Sequence, residues 1–244
     1  MNNFHEINKR FELIKKRGFI KSNYSDSGGA GKMFETLLGK KLDNKSLPDF
    51  ENIEIKTTIK CNKYPITLFS CCPIKEKYTT LDTIQYLLYN YGYNKNSICK
   101  ALMINIKDGK IKYCKNGFGF MIKVSYKWEK VFLLIFYKGK ILDKSISWNF
   151  SDIKDKVTEK MLNLVYIKYL KNITHSDIYY YYYQMDYYIL KTFSKVMDAI
   201  KHGIISVSLN ISSTSGNLRY HGINFVINEK DLSYIYDKID IICK

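Results

Sequence analysis

The segment 47–57 constrains the fold of this 244-residue chain more than any other part of it. Its last five residues alternate between apolar or hydroxyl side chains and charged ones, which predicts a β-strand over 53–57. Side chains along a strand point alternately to opposite faces, so Glu54 and Lys56 would share one face. The apolar residues between them would then face the core.

Within the eight residues 49–56, Asp49 and Glu54 offer two carboxylates and Lys56 offers an amine. Oxygen-rich groups beside an ammonium suit a hard divalent cation and a water that attacks a phosphate, which is the chemistry of a metal-dependent nuclease. A second interpretation is that Glu54 and Lys56 form only a surface salt bridge on an edge strand, a common and weak arrangement. The spacing by itself leaves both interpretations open.

The net charge of +16, with a pI of about 9.4, favours binding to a polyanion such as a phosphate backbone. A basic housekeeping protein, a membrane-surface binder or the codon bias of an AT-rich genome are the alternatives. We find no apolar run long enough to span a membrane and no signal-peptide pattern at the first residues. We therefore expect a cytoplasmic, bacterial protein.

The six cysteines do not suggest a metal site. None forms a Cys-x-x-Cys pair, and the four histidines are isolated, so spacing predicts no structural zinc. Reduced thiols are the expectation in a cytoplasm. The cysteines are Cys61, Cys71, Cys72, Cys99, Cys114 and Cys243.

The rest of the chain predicts one α/β unit with a C-terminal lobe built from a hairpin. Predicted helices cover 3–18, 32–39, 148–170 and 190–202. Predicted strands cover 66–70, 100–107, 118–126, 130–137, 204–211 and 223–227, with 112–117 as a turn and 212–217 as a loop. The five consecutive tyrosines at 179–183 suit either a base-stacking surface or a strand with aromatics on both faces. The high β-propensity of tyrosine favours the strand.

Several of these segments occur, in order, in one known family. The chain resembles the MvaI/BcnI group of type II restriction endonucleases, which are relatives of the mismatch-repair nicking enzyme MutH. The motifs are Gly31-Lys32-Met33-Phe34-Glu35-Thr36-Leu37-Leu38, Asp43-Asn44, Pro48-Asp49-Phe50, Ile53-Glu54-Ile55-Lys56-Thr57, Leu68-Phe69, Trp148-Asn149-Phe150, Gly203-Ile204-Ile205-Ser206-Val207 and His221-Gly222. They span most of the chain.

The resemblance implies an α/β fold with a PD-(D/E)xK restriction-endonuclease-like core. This core has a central mixed sheet flanked by helices, with catalytic and DNA-recognition lobes around a cleft. We expect a single nuclease domain over 1–244, with the catalytic lobe at approximately 1–150 and most of the recognition lobe at 151–244.

The resemblance also implies a catalytic set. The family's acidic residues fall on Asp49, Glu54 and the helix-borne Glu35, and its lysine falls on Lys56. Mg²⁺, with Mn²⁺ as a substitute, would be held by Asp49, Glu54 and the backbone carbonyl of Ile55, while Lys56 would orient or activate the water. Glu35 would be a second metal ligand or would steer Lys56; alternatively, it only favours the helix dipole.

The implied DNA contacts lie near the C-terminus. They are Ser206, Ser208, Asn210, Arg219 and His221. Arg219 suits guanine and Asn210 suits adenine, whereas His221 is either a DNA contact or a structural histidine. The family's Asp-x-Arg aligns with Ser208-x-Asn210, a departure that argues against assuming the same target site for this chain.

The expected activity is hydrolysis of double-stranded DNA at a short specific sequence by a monomer, with a cognate DNA methyltransferase protecting the host. One alternative is a MutH-like nicking enzyme of mismatch repair. Another is a non-catalytic DNA-binding protein. The presence of Glu35, Asp49, Glu54 and Lys56 together argues against the last.

Overall fold

The structure is a computed structural model that describes residues 2–26, 28–39, 52–175, 177–215 and 217–240. Asp49, the first predicted metal ligand, lies outside these ranges. No helix within them is long and apolar enough to cross a membrane.

The described chain contains six α-helices, a short 3₁₀ helix and fifteen strands. The helices are α1 (Asn2–Lys16), α2 (Gly29–Leu37), α3 (Thr80–Tyr91), α4 (Phe150–Lys160), α5 (Phe193–Lys201) and α6 (Leu232–Ile235), and the 3₁₀ helix is Glu229–Asp231. The strands are β1 (Ile20–Lys21), β2 (Glu54–Ile59), β3 (Ile66–Ser70), β4 (Ile74–Lys75), β5 (Tyr93–Asn96), β6 (Cys99–Ile106), β7 (Lys112–Tyr113), β8 (Phe118–Ser125), β9 (Lys130–Tyr137), β10 (Lys140–Asn149), β11 (Asn163–Thr174), β12 (Asp177–Leu190), β13 (Ser206–Thr214), β14 (Asn217–Ile227) and β15 (Tyr236–Ile239).

The chain forms two compact units that interleave along the sequence. Unit 1 comprises Met1–Tyr64, Glu159–Lys191 and Tyr236–Lys244, and unit 2 comprises Pro65–Thr158 and Thr192–Ile235. The sequence suggested consecutive lobes that meet near residue 150. Strand pairing produces the interleaving, because β2 pairs with β11, which follows it by about a hundred residues of chain.

Unit 1 is built on a mixed sheet in the order β1-β12-β11-β2, with β15 also paired to β12. The β2–β11 pair is parallel, and the β11–β12 pair is antiparallel. Residues of α1 and α2 pack with one face of this sheet in a single apolar core, which includes Phe11, Phe34 and Ile55.

The tyrosine run forms part of β12, as its β-propensity predicted. Tyr180 and Tyr182 alternate into the core of unit 1, where both are buried. The Tyr182 hydroxyl donates a 2.7 Å hydrogen bond to the carbonyl of Ala30 on α2. The run therefore contributes to the packing of α2 on the sheet.

The predicted helix over 148–170 is wrong at both ends. Trp148 lies in β10, α4 ends at Lys160, and residues from Asn163 onward form β11. The aromatic and β-branched side chains of 165–167 suit a strand, and pairing on both sides, with β2 and β12, satisfies the backbone of β11. Helical spacing of the apolar residues was a weaker constraint than this pairing.

Unit 2 contains two antiparallel sheets, β4-β10-β9-β8-β7 and β3-β14-β13-β6-β5. The Trp148 indole is fully buried between them and donates a 2.9 Å hydrogen bond to the Cys71 carbonyl. The predicted loop over 212–217 is largely strand, since β13 runs to Thr214 and β14 starts at Asn217. The predicted turn over 112–117 begins with the two residues of β7. Together the two units give the mixed α/β architecture that the sequence predicted.

Candidate active site

Strand β2 brings Glu54 and Lys56 together in unit 1. The Lys56 ammonium lies 2.5 Å from Glu54 Oε1 and donates a hydrogen bond to it. The neighbouring Ile53 and Ile55 are buried in the apolar core, so strand alternation turns the charged pair to the other face. Glu54 is only 5% exposed. The interpretation as a surface salt bridge therefore does not apply to the carboxylate.

A second lysine, Lys160, contacts the same carboxylate. Its ammonium lies 3.3 Å from Glu54 Oε2, and its side chain is 19% exposed. A buried carboxylate is costly unless it is paired and hydrogen-bonded. Both oxygens of Glu54 therefore have a cationic partner, one from β2 and one from the last residue of α4.

Sequence reasoning missed Lys160, and the reason is its distance along the chain. The residue stands 106 positions after Glu54 and carries no local motif. It reaches the carboxylate because Leu164, four residues later, pairs with Glu54 in the parallel β2–β11 ladder. Only the strand pairing could have indicated it.

Tyr236, at the start of β15, is a further buried group whose charge state is linked to Glu54. Burial raises the pKa of its phenol above the ordinary value of 10.0, and the negative charge of Glu54 raises it further. Tyr236 therefore remains a neutral phenol at physiological pH.

Glu35 lies on α2, which packs on β2. A Cβ atom placed on Gly31 would lie 3.5 Å from Thr57 Oγ1 and 4.0 Å from Glu35 Oε1. The Glu35 carboxylate and the Thr57 hydroxyl on β2 thus both lie near Gly31 of α2. Both distances are ordinary van der Waals contacts, so a small side chain at position 31 would fit between them.

The described residues include two of the three predicted metal ligands, Glu54 and Ile55. They contain no cluster of three His, Cys, Asp or Glu side chains that could hold a metal alone. Glu54 nevertheless offers a hard oxygen donor of the kind that divalent cations prefer, although both of its oxygens contact lysine ammonium groups. The Ile55 carbonyl is adjacent in sequence, and Asp49 lies outside the described residues.

The predicted DNA contacts lie together in unit 2. Ser206, Ser208 and Asn210 are on β13, and Arg219 and His221 are on β14. The Asn210 amide donates a 3.2 Å hydrogen bond to Ser208 Oγ. Arg219 is exposed and pairs in register with Ser212. The antiparallel hairpin thus places these residues on two adjacent strands.

The model of the MvaI/BcnI restriction endonuclease family matches residues 8–236. The chain belongs to this family. The match confirms the resemblance read from the sequence motifs, and it covers most of the chain.

Two solved structures support the fold of this MvaI/BcnI member. One, described as "Restriction endonuclease MvaI-cognate DNA substrate complex", has a TM-score of 0.87 at 24% identity, covering 98% of each chain. The other, "Restriction endonuclease MvaI in the absence of DNA", has a TM-score of 0.61 at 23% identity, covering 98% of this chain and 97% of that one. No curated protein sequence matches the chain.

Membership of the MvaI/BcnI family makes the chain a type II restriction endonuclease, a site-specific deoxyribonuclease. Its mixed α/β fold agrees with that assignment. In this chain, the buried Glu54 forms a charged cluster with Lys56 and Lys160, and such a cluster suits phosphate chemistry.

Proposed function

We propose that the chain hydrolyses phosphodiester bonds of double-stranded DNA at a short specific sequence, with Mg²⁺ and an attacking water. The observation that carries this proposal is the pairing of buried Glu54 with Lys56 and Lys160 in a member of the MvaI/BcnI family. A buried acid between two ammonium groups is a preorganised electrostatic site, and such sites supply much of the rate enhancement in phosphoryl transfer.

The proposed metal ligands are Asp49, Glu54 and the Ile55 carbonyl, with Mn²⁺ as a substitute for Mg²⁺. When bound, the metal would polarise the scissile phosphate and make the attacking water more acidic. Lys56 is already held beside Glu54, which fixes its ammonium where it can orient the water and stabilise negative charge. Glu35 is proposed to complete the acidic set from α2.

We assign hydrolysis to unit 1 and sequence recognition to unit 2. Unit 1 contains Glu54, Lys56 and Lys160, whereas unit 2 contains β13 and β14 with the five predicted DNA contacts. The net charge of +16 supports binding to a polyanionic duplex. We further propose that the enzyme acts as a monomer in the cytoplasm and that a cognate methyltransferase protects host DNA.

Cleavage of unmethylated plasmid and phage DNA with Mg²⁺ tests the proposal. The wild type is expected to give discrete double-strand fragments. Glu54→Gln, which keeps the shape of the side chain and removes its charge, should slow cleavage by about 100-fold or more. Asp26→Asn is the matched control, because Asp26 forms an exposed pair with Lys32 2.6 Å away. Asp49→Ala tests the ligand that lies outside the described residues.

The other outcomes separate the alternatives. Nicked circles without linear product would favour a MutH-like nicking enzyme. Tight duplex binding with no cleavage in either Mg²⁺ or Mn²⁺ would contradict the proposed hydrolysis and favour a DNA-binding role. If Glu54→Gln cleaves at the wild-type rate, the Glu54 carboxylate has no role in hydrolysis.

A further inference from the structure

The outer face of the β3-β14-β13-β6-β5 sheet in unit 2 carries a row of polar side chains. Ser70 pairs in register with Asn224, Asn224 with Ser208, and Ser208 with Asn105. Directly paired residues point to the same face of a sheet, so the row crosses four strands. The neighbours of Ser208 on β13, Val207 and Leu209, are fully buried on the opposite face.

Hydrogen bonds link parts of this polar row. Ser70 Oγ donates to Asn224 Oδ1 at 2.5 Å, and Asn210 donates to Ser208 Oγ at 3.2 Å. Asn105 differs, because its Oδ1 is buried and has no hydrogen-bond partner within the described part of the chain. Such an unsatisfied atom costs about 1–3 kcal/mol, whereas the rest of the Asn105 side chain is partly exposed and open to a ligand.

Asn105 lies between two pockets of about 440 and 420 Å³, and it lines both of them. The first pocket also contains Lys107, Lys110 and Lys112, and the second contains Lys112 and Lys115. Among the described residues that line either pocket, there is no aspartate or glutamate. The Asn105 amide therefore has lysines but no carboxylates beside it, which suits a polyanion that carries hydrogen-bonding groups.

The size of the row favours a duplex over a single nucleotide. Strands in a sheet lie about 4.8 Å apart, so a row across four strands extends roughly 14 Å. That length is comparable to the major groove of B-DNA, which is about 12 Å wide. A free phosphate or mononucleotide would occupy only a fraction of it.

We propose that Asn105 contacts a base of the target DNA and that Lys110, Lys112 and Lys115 bind the neighbouring phosphates. This inference rests on the proposed function and adds β6 and the segment after it to the recognition surface. Asn105 would donate a hydrogen bond from its amide nitrogen to an acceptor on a base edge, whereas lysines hold phosphates without reading sequence. Asn105 is therefore a specificity residue and the lysines are affinity residues.

Duplex binding without metal tests the lysines. The logarithm of the association constant falls with the logarithm of salt concentration, with a slope of about 0.9 for each phosphate neutralised. Lys112→Gln should reduce that slope by about this amount. Lys140→Gln, at an exposed lysine of β10, is the control and should leave it unchanged. Equal slopes for the wild type and Lys112→Gln would overturn the phosphate contact.

Selection of bound sequences from a randomised duplex pool, again without metal, tests Asn105. Asn105→Ala should lose preference at one base pair by roughly 5-fold, the lower end of the range for a base contact, because one hydrogen bond discriminates less than a bidentate pair. Asn94→Ala is the control, since Asn94 is exposed and alternates with Tyr93 to the other face of β5. Asn105→Asp keeps the side-chain shape and replaces the amide by a carboxylate. If the alanine variant unfolds, the aspartate variant is tested instead and should lose the same base preference.

The selection distinguishes failure of this inference from failure of the proposed function. A wild type that selects a sequence and never cleaves it would contradict hydrolysis and leave the role of Asn105 intact. A wild type that cleaves, together with Asn105 variants that select the unchanged sequence, would overturn only the role of Asn105. A wild type that binds duplexes with no sequence preference would also overturn it.

Discussion

The ammonium of Lys160 lies 3.3 Å from Glu54 Oε2, across 106 residues of chain. Together with Lys56 on Oε1, it places both carboxylate oxygens of a buried acid against positive charge. The two lysines come from different elements, α4 and β2, so the cluster links the end of that helix to the strand. Its energetic and catalytic consequences can be measured separately.

Replacing Lys160 should destabilise the metal-free protein. Lys160→Met removes one partner of a buried carboxylate, so we expect the free energy of unfolding to fall by about 1–3 kcal/mol. Urea denaturation measures the change. Lys154→Met, at an exposed lysine of the same helix, is the control and should remain within about 0.5 kcal/mol of wild type. An equal effect of both variants would mean that the contact with Glu54 contributes nothing.

Divalent metal should stabilise the folded protein through Glu54. A ligand that binds only the native state at 100 times its Kd adds about 2.7 kcal/mol to the free energy of unfolding. We expect a gain of this kind with Mg²⁺ relative to a chelator, and its loss in Glu54→Gln. Asp26→Asn should keep the gain. If Glu54→Gln keeps it as well, the metal binds elsewhere.

Buried tyrosines should make the protein sensitive to alkaline pH. Burial raises the pKa of Tyr182 above its ordinary value of 10.0, so the folded state retains a proton that the unfolded chain loses. The resulting stability is fully present below pH 10 and is lost as pH rises toward the folded-state pKa, by about 1.4 kcal/mol per pH unit.

Tyr182→Phe should flatten this alkaline decline. It also removes the hydrogen bond to the Ala30 carbonyl, so stability at neutral pH should fall by about 1 kcal/mol. Denaturation at a series of pH values measures both effects. Tyr64→Phe is the control, because Tyr64 is 81% exposed. Parallel pH curves for the two variants would contradict the prediction.

Asn210 should contribute to sequence preference. Its amide shares the outer face of β13 with Ser208, to which it donates a hydrogen bond. Asn210→Ala should weaken binding to the preferred duplex by about 1–3 kcal/mol and leave binding to unrelated duplexes nearly unchanged. Competition binding measures the difference, with Asn94→Ala as the control. A uniform loss on all duplexes would identify a structural role instead.

The sequence predicted the elements whose signals are local. Alternation over 53–57 indicated β2, and the β-propensity of the tyrosines indicated β12. Helix α3 was missed, although its first turn has a local signal. Thr79 accepts a hydrogen bond from the Asp82 backbone N–H at 3.2 Å, and Asp82 accepts one from Thr79, which is a capping box.

The sequence did not predict features that depend on pairing between distant strands. The helix expected over 148–170 ends at Lys160 because β11 gains two neighbours, β2 and β12, that no local pattern reveals. The same pairing interleaves the two units. The two pockets at Asn105 likewise depend on sheet register, because their lining residues come from distant segments of unit 2.

By itself, the sequence determined that Glu54 and Lys56 share one face of a strand and that the chain resembles the MvaI/BcnI family. Side-chain alternation is a property of neighbouring residues, so it needs no knowledge of the rest of the fold. Only the tertiary structure decided that Glu54 is buried and that Lys160 joins it. Burial and long-range ion pairs arise when β11 docks beside β2, and no spacing along the chain encodes that contact.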